Sequence, residues 1–237
     1  MITNLAGQLC QFRDFDRDFL LFSNDPADYI QQHWVAGVLY EREELDVIRR
    51  FVRDGAVCVD IGSNVGNHAV FMATVLKASK VYCFEPLEAC SDVLQVNARL
   101  NRCSDVIDCS YLGLVLGSSV STAYGITPPG NIGATRFVQD DCISPAAKPV
   151  IPLDSLNIDH FVDFVKIDVE GSEIDVLLGM KRLVRRCRPS MFVEVGNDNI
   201  DAFSLFLQES AYRIVYRNRR YSENENFLVA PVSDFTL

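Results

Sequence analysis

Between residues 57 and 230, short and nearly continuous apolar runs alternate with longer stretches of helical period. Val57 to Ile61, Val81 to Glu85, Val106 to Val115, Phe161 to Val169 and Met191 to Val195 read as strands. Asn67 to Ala78, Leu87 to Leu100, Glu173 to Val184 and Ile200 to Ser210 read as helices between and after them. Tyr212 to Tyr216 and Asn226 to Ala230 read as a closing hairpin. Ahead of the first strand, Glu41 to Arg53 is amphipathic, with Leu45, Ile48, Phe51 and Val52 on one face, and Asp54-Gly55 ends it. Residues 117–150 are rich in Gly, Ser, Thr and Pro and are expected to form loops and short irregular strands. The start of the chain has no clear period. Residues 1–37 are expected to be an extension packed on a domain of residues 38–237.

Strand-helix alternation with continuous apolar strands predicts an α/β fold, a parallel sheet covered on both faces. The closing hairpin adds one antiparallel edge strand. Such sheets bind ligands beyond the carboxyl ends of their strands, where the strand order reverses, so the candidate chemistry is sought there.

Composition narrows the partners. The 237 residues carry a formal net charge of -10, which argues against nucleic acid as a partner, since that needs a basic face. The cluster Lys181, Arg182, Arg185, Arg186 and Arg188 reads as a solvated face near a helix end. None of the eight cysteines forms a C-x-x-C pair or zinc spacing with the three histidines. They read as small buried hydrophobes in a reducing compartment. No run reaches the roughly 18 apolar residues of a membrane span. A cytoplasmic protein is expected, without metal, because no dense acidic motif is present.

The loop after the first strand is Asp60-Ile61-Gly62-Ser63-Asn64-Val65-Gly66-Asn67. Gly62 permits a sharp turn and close ligand approach. The spacing departs from that of a dinucleotide loop, and Asp60 would repel a pyrophosphate while favouring a cationic ligand. A plain strand-to-helix turn is the alternative. Glu85-Pro86 ends the second strand, where a carboxylate can take hydrogen bonds from two ribose hydroxyls; it can equally serve the dipole of the next helix. In Lys166-Ile167-Asp168-Val169-Glu170, alternation places the three charged residues on one side of an apolar strand. Glu194 ends the next strand, so a third carboxylate reaches the same rim. A structural ion network explains these charges as well as catalysis does. His68 reads as a core or capping histidine. Tyr29, Trp34, Tyr40 and Tyr124 offer aromatic faces for a sugar ring, or core packing.

These motifs, with Leu153-Asp154-Ser155-Leu156, Lys166 to Glu173, Arg188-Pro189 and Phe192-Val193-Glu194-Val195, resemble the FkbM-type methyltransferases over about residues 38–216. Asn131-Ile132-Gly133-Ala134 is a weaker match, and Ser63 stands where the family usually has alanine. The resemblance implies a Rossmann-like class I methyltransferase fold with a mostly parallel seven-stranded sheet, a C-terminal antiparallel hairpin and helices on both faces. It implies S-adenosyl-L-methionine as cofactor and methyl transfer to a hydroxyl of a sugar or natural-product small molecule. Asp60, Gly62, Ser63, Asn64, Gly66, Asn67, Glu85, Pro86, Leu112, Gly113 and Asp168 are the expected cofactor residues. Asp168, Glu170 and Glu194 are the candidate bases. The competing readings are an NAD-dependent oxidoreductase and a catalytically idle module of the same fold.

Overall fold

The computed structural model describes residues 5–128, 132–139 and 146–232. A seven-stranded sheet forms the centre. Its strands are β3 (Val57–Ile61), β4 (Lys80–Phe84), β5 (Ile107–Asp108), β10 (Phe164–Ile167), β11 (Ser190–Gly196), β12 (Tyr212–Asn218) and β13 (Asn224–Pro231). They lie in the order β12-β13-β11-β10-β3-β4-β5. Strands β11, β10, β3, β4 and β5 run parallel, while β13 is antiparallel to both β11 and β12. The antiparallel strand therefore sits inside the sheet, and β12 takes the edge. The order reverses between β3 and β10, so the crevice opens over their carboxyl ends.

Every residue of β3 and β10 is buried, which explains their continuous apolar character. One face packs against α3 (Asn67–Thr74), α4 (Glu88–Leu100) and α2 (Arg42–Phe51); Cys58, Phe164 and Phe192 meet Phe71, Leu94 and Leu45 there. The other face packs against α5 (Glu173–Gly179), α6 (Lys181–Cys187) and α7 (Ile200–Ser210), with Val59, Ile167 and Val193 against Leu177, Val184 and Phe206.

Four expectations change. The N-terminal segment is ordered, with a hairpin of β1 (Gln8–Asp14) and β2 (Arg17–Ser23) followed by the short helix α1 (Gln31–Val35). Phe19, Leu21 and Trp34 join the same core as α3 and α4, and Asn97 of α4 and Asn101 just after it accept the β2 backbone N–H groups of Phe22 and Leu20. The stretch 106–115 is not one strand: β5 ends at Asp108 and the chain turns before β6 (Val115–Leu116). Residues 117–150 contribute to a second sheet, ordered β6-β9-β7-β8, with β7 (Ser121–Ile126), β8 (Arg136–Gln139) and β9 (Lys148–Ile151). The helix expected over 173–184 is two, broken at Met180. A Cβ at Gly179 would stand 2.0 Å from the carbonyl oxygen of Gly117, so the glycine lets the second sheet reach the helix.

The described cysteines are free, and all but Cys109 are buried; Cys142 lies outside the described residues. Among the basic cluster, Arg182, Arg186 and Arg188 bond backbone carbonyls of Asp154, Ile158 and Ala211. No described helix is long and apolar enough to cross a membrane.

Candidate active site

A cavity of about 360 Å³ opens above the carboxyl ends of β3, β4, β10 and β11. Its floor is the loop after β3. Gly62 has φ +75°, and a Cβ there would stand 1.8 Å from the carbonyl oxygen of Asp168. Only glycine allows the loop to lie directly on the end of β10. Asn64 is also left-handed, at φ +47°, and its side chain accepts the backbone N–H of Val65. Ser63 closes the loop by donating to the Asp60 carbonyl oxygen at 2.7 Å. Gly66 begins α3 at φ +90° with Leu94 close against it.

Glu85 stands at the end of β4, 5% exposed and on the cavity wall. Its two carboxylate oxygens accept the backbone N–H groups of Asn64 and Leu87 at 2.9 and 2.8 Å. Burial pushes its pKa up to about 7, against the pull of those two hydrogen bonds. Pro86 lines the wall beside it.

Asp60 is placed differently from the expectation. Its carboxylate is fully buried, does not line the cavity, and lacks a hydrogen-bond partner. The cation it meets is the Lys166 ammonium, 3.6 Å away. The cause is register: Asp60 and Lys166 are paired neighbours on β3 and β10, so both side chains leave the same face. Lys166 also donates to the Gly62 carbonyl oxygen at 2.8 Å and pairs with Asp168 at 3.2 Å. Burial disfavours its charge, but Asp168 and Asp60 outweigh that and raise its pKa. One buried ammonium thus holds the ends of both central strands.

Asp168, Glu170 and Glu194 do converge. One carboxylate oxygen of each lies within 4.8 Å of the others, and all three line the cavity. The route differs from simple alternation, because β10 ends at Ile167 and Glu170 is left-handed at φ +50°. The three influence one another. Burial, the Asp168 charge and a side-chain hydrogen bond with Asp168 push the Glu194 pKa up to about 11. Burial works against the Asp168 anion, but Lys166 and the Glu194 hydrogen bond hold its pKa below the ordinary value. Burial and the Asp168 charge raise Glu170 to about 7. The spacing also suits a divalent ion with oxygen ligands; the proton shared by Glu194 and Asp168 satisfies the same closeness with a hydrogen bond.

Other expected residues serve the scaffold. Asn67 accepts from the Trp34 indole N–H and the Tyr40 backbone N–H, and donates to the Tyr40 carbonyl oxygen, each at 3.0 Å. Trp34 is therefore core. His68 is buried with Nε2 3.3 Å from Glu41. Ser63, Gly66, Asn67, Leu112 and Gly113 do not line the cavity; Leu114, Val115 and Leu116 do. Gly113 instead donates its N–H to the Glu85 carbonyl oxygen at 2.8 Å. Ile132, Gly133 and Ala134 line the cavity as a 3-10 turn, while Asn131 lies outside the described residues. Tyr29 and Tyr40 reach the cavity and Tyr124 does not.

Tyr221, Glu223 and Asn224 also line it, and sequence reasoning missed them. Topology was the available signal. A final strand antiparallel to β11 starts where β11 ends, with Gly196 opposite Asn224, so the hairpin turn stands at the ligand-binding rim.

A glycine loop over a switch point, a carboxylate ending the neighbouring strand, and this strand order define the Rossmann-like methyltransferase fold. The chain belongs to the FkbM family within it: the family model described as "Methyltransferase FkbM domain" matches residues 60–214. It is similar to "Methyltransferase 1" of Beauveria bassiana (strain ARSEF 2860), 26% identical over 186 residues, 69% of this chain and 72% of the relative. "Methyltransferase sdnD" of Sordaria araneosa is 26% identical over 155 residues, covering 52% and 59%. Among solved structures, FkbM from Methylobacillus flagellatus KT matches with TM-score 0.56 and 22% identity, over 80% of this chain and 46% of that one. A putative tRNA (m1A22) methyltransferase of Streptococcus pneumoniae, solved with S-adenosyl-L-methionine, matches with TM-score 0.53 and 13% identity, over 82% and 74%. The chain thus spans about half the length of the FkbM structure it matches.

Proposed function

We propose that the protein transfers a methyl group from S-adenosyl-L-methionine to a hydroxyl oxygen of a small molecule, a sugar or natural-product alcohol. The observation that carries this reading is a single cavity lined both by Glu85 at the end of β4 and by three carboxylates at the ends of β10 and β11. The end of β3 lies between β4 and β10, so Glu85 and the carboxylate cluster stand on opposite sides of the crevice, as an extended ligand requires.

The residues present suit the cofactor. Glu85 is a buried carboxylate whose oxygens keep unused lone pairs beyond their two backbone partners, which suits ribose hydroxyls. Gly62 lets the loop rest on the end of β10 with its main chain on the cavity wall. When bound, S-adenosyl-L-methionine supplies the methyl group as a sulfonium, ready for direct displacement. Holding the acceptor oxygen in line provides much of the acceleration. The hydroxyl proton needs an acceptor, and Glu170 is best matched, because its pKa of about 7 lies near working pH. Burial and Asp168 raise Glu194 well beyond that, and Asp168 is paired with Lys166.

The test is calorimetric titration with S-adenosylhomocysteine, with NAD in parallel. Binding of the former that weakens in Glu85→Ala supports the reading. Binding of NAD alone would replace it with the oxidoreductase.

A further inference from the structure

We propose that Tyr29, Tyr40 and Tyr221 form the acceptor wall of this cavity, and that the acceptor is a ring-bearing alcohol without an anionic group. The inference rests on the methyl-transfer reading above and gives it a substrate class.

The three rings come from separate stretches of chain, all outside the family-matched residues 60–214. All three line the cavity. The Tyr221 hydroxyl donates to that of Tyr29 at 3.0 Å and lies 3.1 Å from that of Tyr40. The Tyr29 ring meets Tyr40 and Tyr221 edge-on, with centroids 5.7 and 6.2 Å apart. The wall is also fixed in place. Tyr40 is clamped through its backbone by Asn67, the first residue of α3. The Arg220 guanidinium packs over the Tyr40 and Tyr221 rings at 5.2 and 5.8 Å, and Glu44 holds it at 3.6 Å. A rigid aromatic surface whose hydroxyls are tied to one another gives stacking area at little entropic cost. The wall shares one cavity with Asp168, Glu170 and Glu194, the carboxylates assigned to the transfer end.

Charge sets the second half of the proposal. Asp168, Glu170, Glu194 and Glu223 share the cavity with the rings, and among the described residues no lysine or arginine lines it. The residues outside the description contain neither type. Lys166 lies beneath, spent on Asp60 and Asp168. An anionic acceptor would meet the charges of Asp168 and Glu223 in the lining, which costs affinity. Arg220 is engaged by Glu44 behind the rings, and Arg136 stands beside Gly171 outside the lining.

The experiment is saturation-transfer NMR on protein saturated with S-adenosylhomocysteine, using phenyl β-D-glucopyranoside and phenyl β-D-glucuronide as probes. The neutral probe should bind, and the glucuronide should bind at least about tenfold more weakly. Tyr29→Leu and Tyr221→Leu should each weaken the neutral probe about tenfold or more while leaving S-adenosylhomocysteine affinity within about twofold. Equal binding of both probes, no transfer to either, or an equal loss of cofactor-product affinity in the tyrosine variants would overturn the proposal. A wild type that fails to bind S-adenosylhomocysteine would instead overturn the methyl-transfer reading, and this inference with it.

Discussion

Replacing Glu85 by glutamine separates what the residue costs the fold from what it does for the ligand. The carboxyl has an ordinary pKa of 4.5 and a folded value of about 7, raised chiefly by burial. Between those values the folded state holds the extra proton. The sign follows: the contribution to stability is complete below pH 4.5 and is lost as pH rises through 7. The shift corresponds to about 3 kcal/mol in full. Between pH 5.5 and 8, about 2 kcal/mol of that disappears in the wild type, and none through this residue in Glu85→Gln. Glutamine offers one acceptor oxygen to two backbone donors, Asn64 and Leu87. The resulting fixed cost is about 1–3 kcal/mol and does not depend on pH. The assay is urea unfolding of both proteins from pH 5.5 to 8, well above the sequence pI of 4.8. The stability difference should move by about 2 kcal/mol in favour of the variant across that range. A difference that stays constant with pH refutes the burial argument. In the same variant, S-adenosylhomocysteine binding should weaken about tenfold to hundredfold, because hydrogen bonds to a charged acceptor are lost.

Gly62→Ala should lose more than about 3 kcal/mol in denaturant unfolding, because it combines a left-handed φ with a backbone clash; a wild-type midpoint would show that the loop does not rest on β10. Asn67→Ala leaves the Trp34 indole and the Tyr40 N–H without partners and should cost about 3 kcal/mol, read by the same unfolding assay. Glu170→Gln should lower kcat about 10²- to 10⁴-fold and remove the rising limb near pH 7 from the rate profile. Retention of that limb would remove Glu170 from the proton-accepting role.

The sequence was most readable where chemistry and period coincide. Gly62, Glu85 and the Lys166-to-Glu170 run stand at strand ends that apolar runs alone locate. Asp60 shows the limit. Its residue type suggests a ligand cation, but whether it faces cavity or core depends on which strand lies beside β3, and that is a long-range fact. Glu170 reaches the expected rim by a left-handed turn and not by alternation, because β10 stops after four residues. The second sheet was hidden because β6 has only two residues and its partner β9 lies more than thirty positions on. Tyr221 sits in a polar turn with no pattern of its own, and only the antiparallel placement of β13 brings it to the rim.

The contact between Gly62 and Asp168 has a consequence for how such an enzyme can change. The floor of the cavity and the strand end bearing Asp168 touch through main chain, so their spacing is insensitive to which side chains stand nearby. The tyrosine wall hangs on the hairpin turn and the leading segment, away from that contact. On the proposed reading, selection or engineering can trade one acceptor for another at Tyr29 and Tyr221 while the spacing between the cavity floor and Asp168 stays the same.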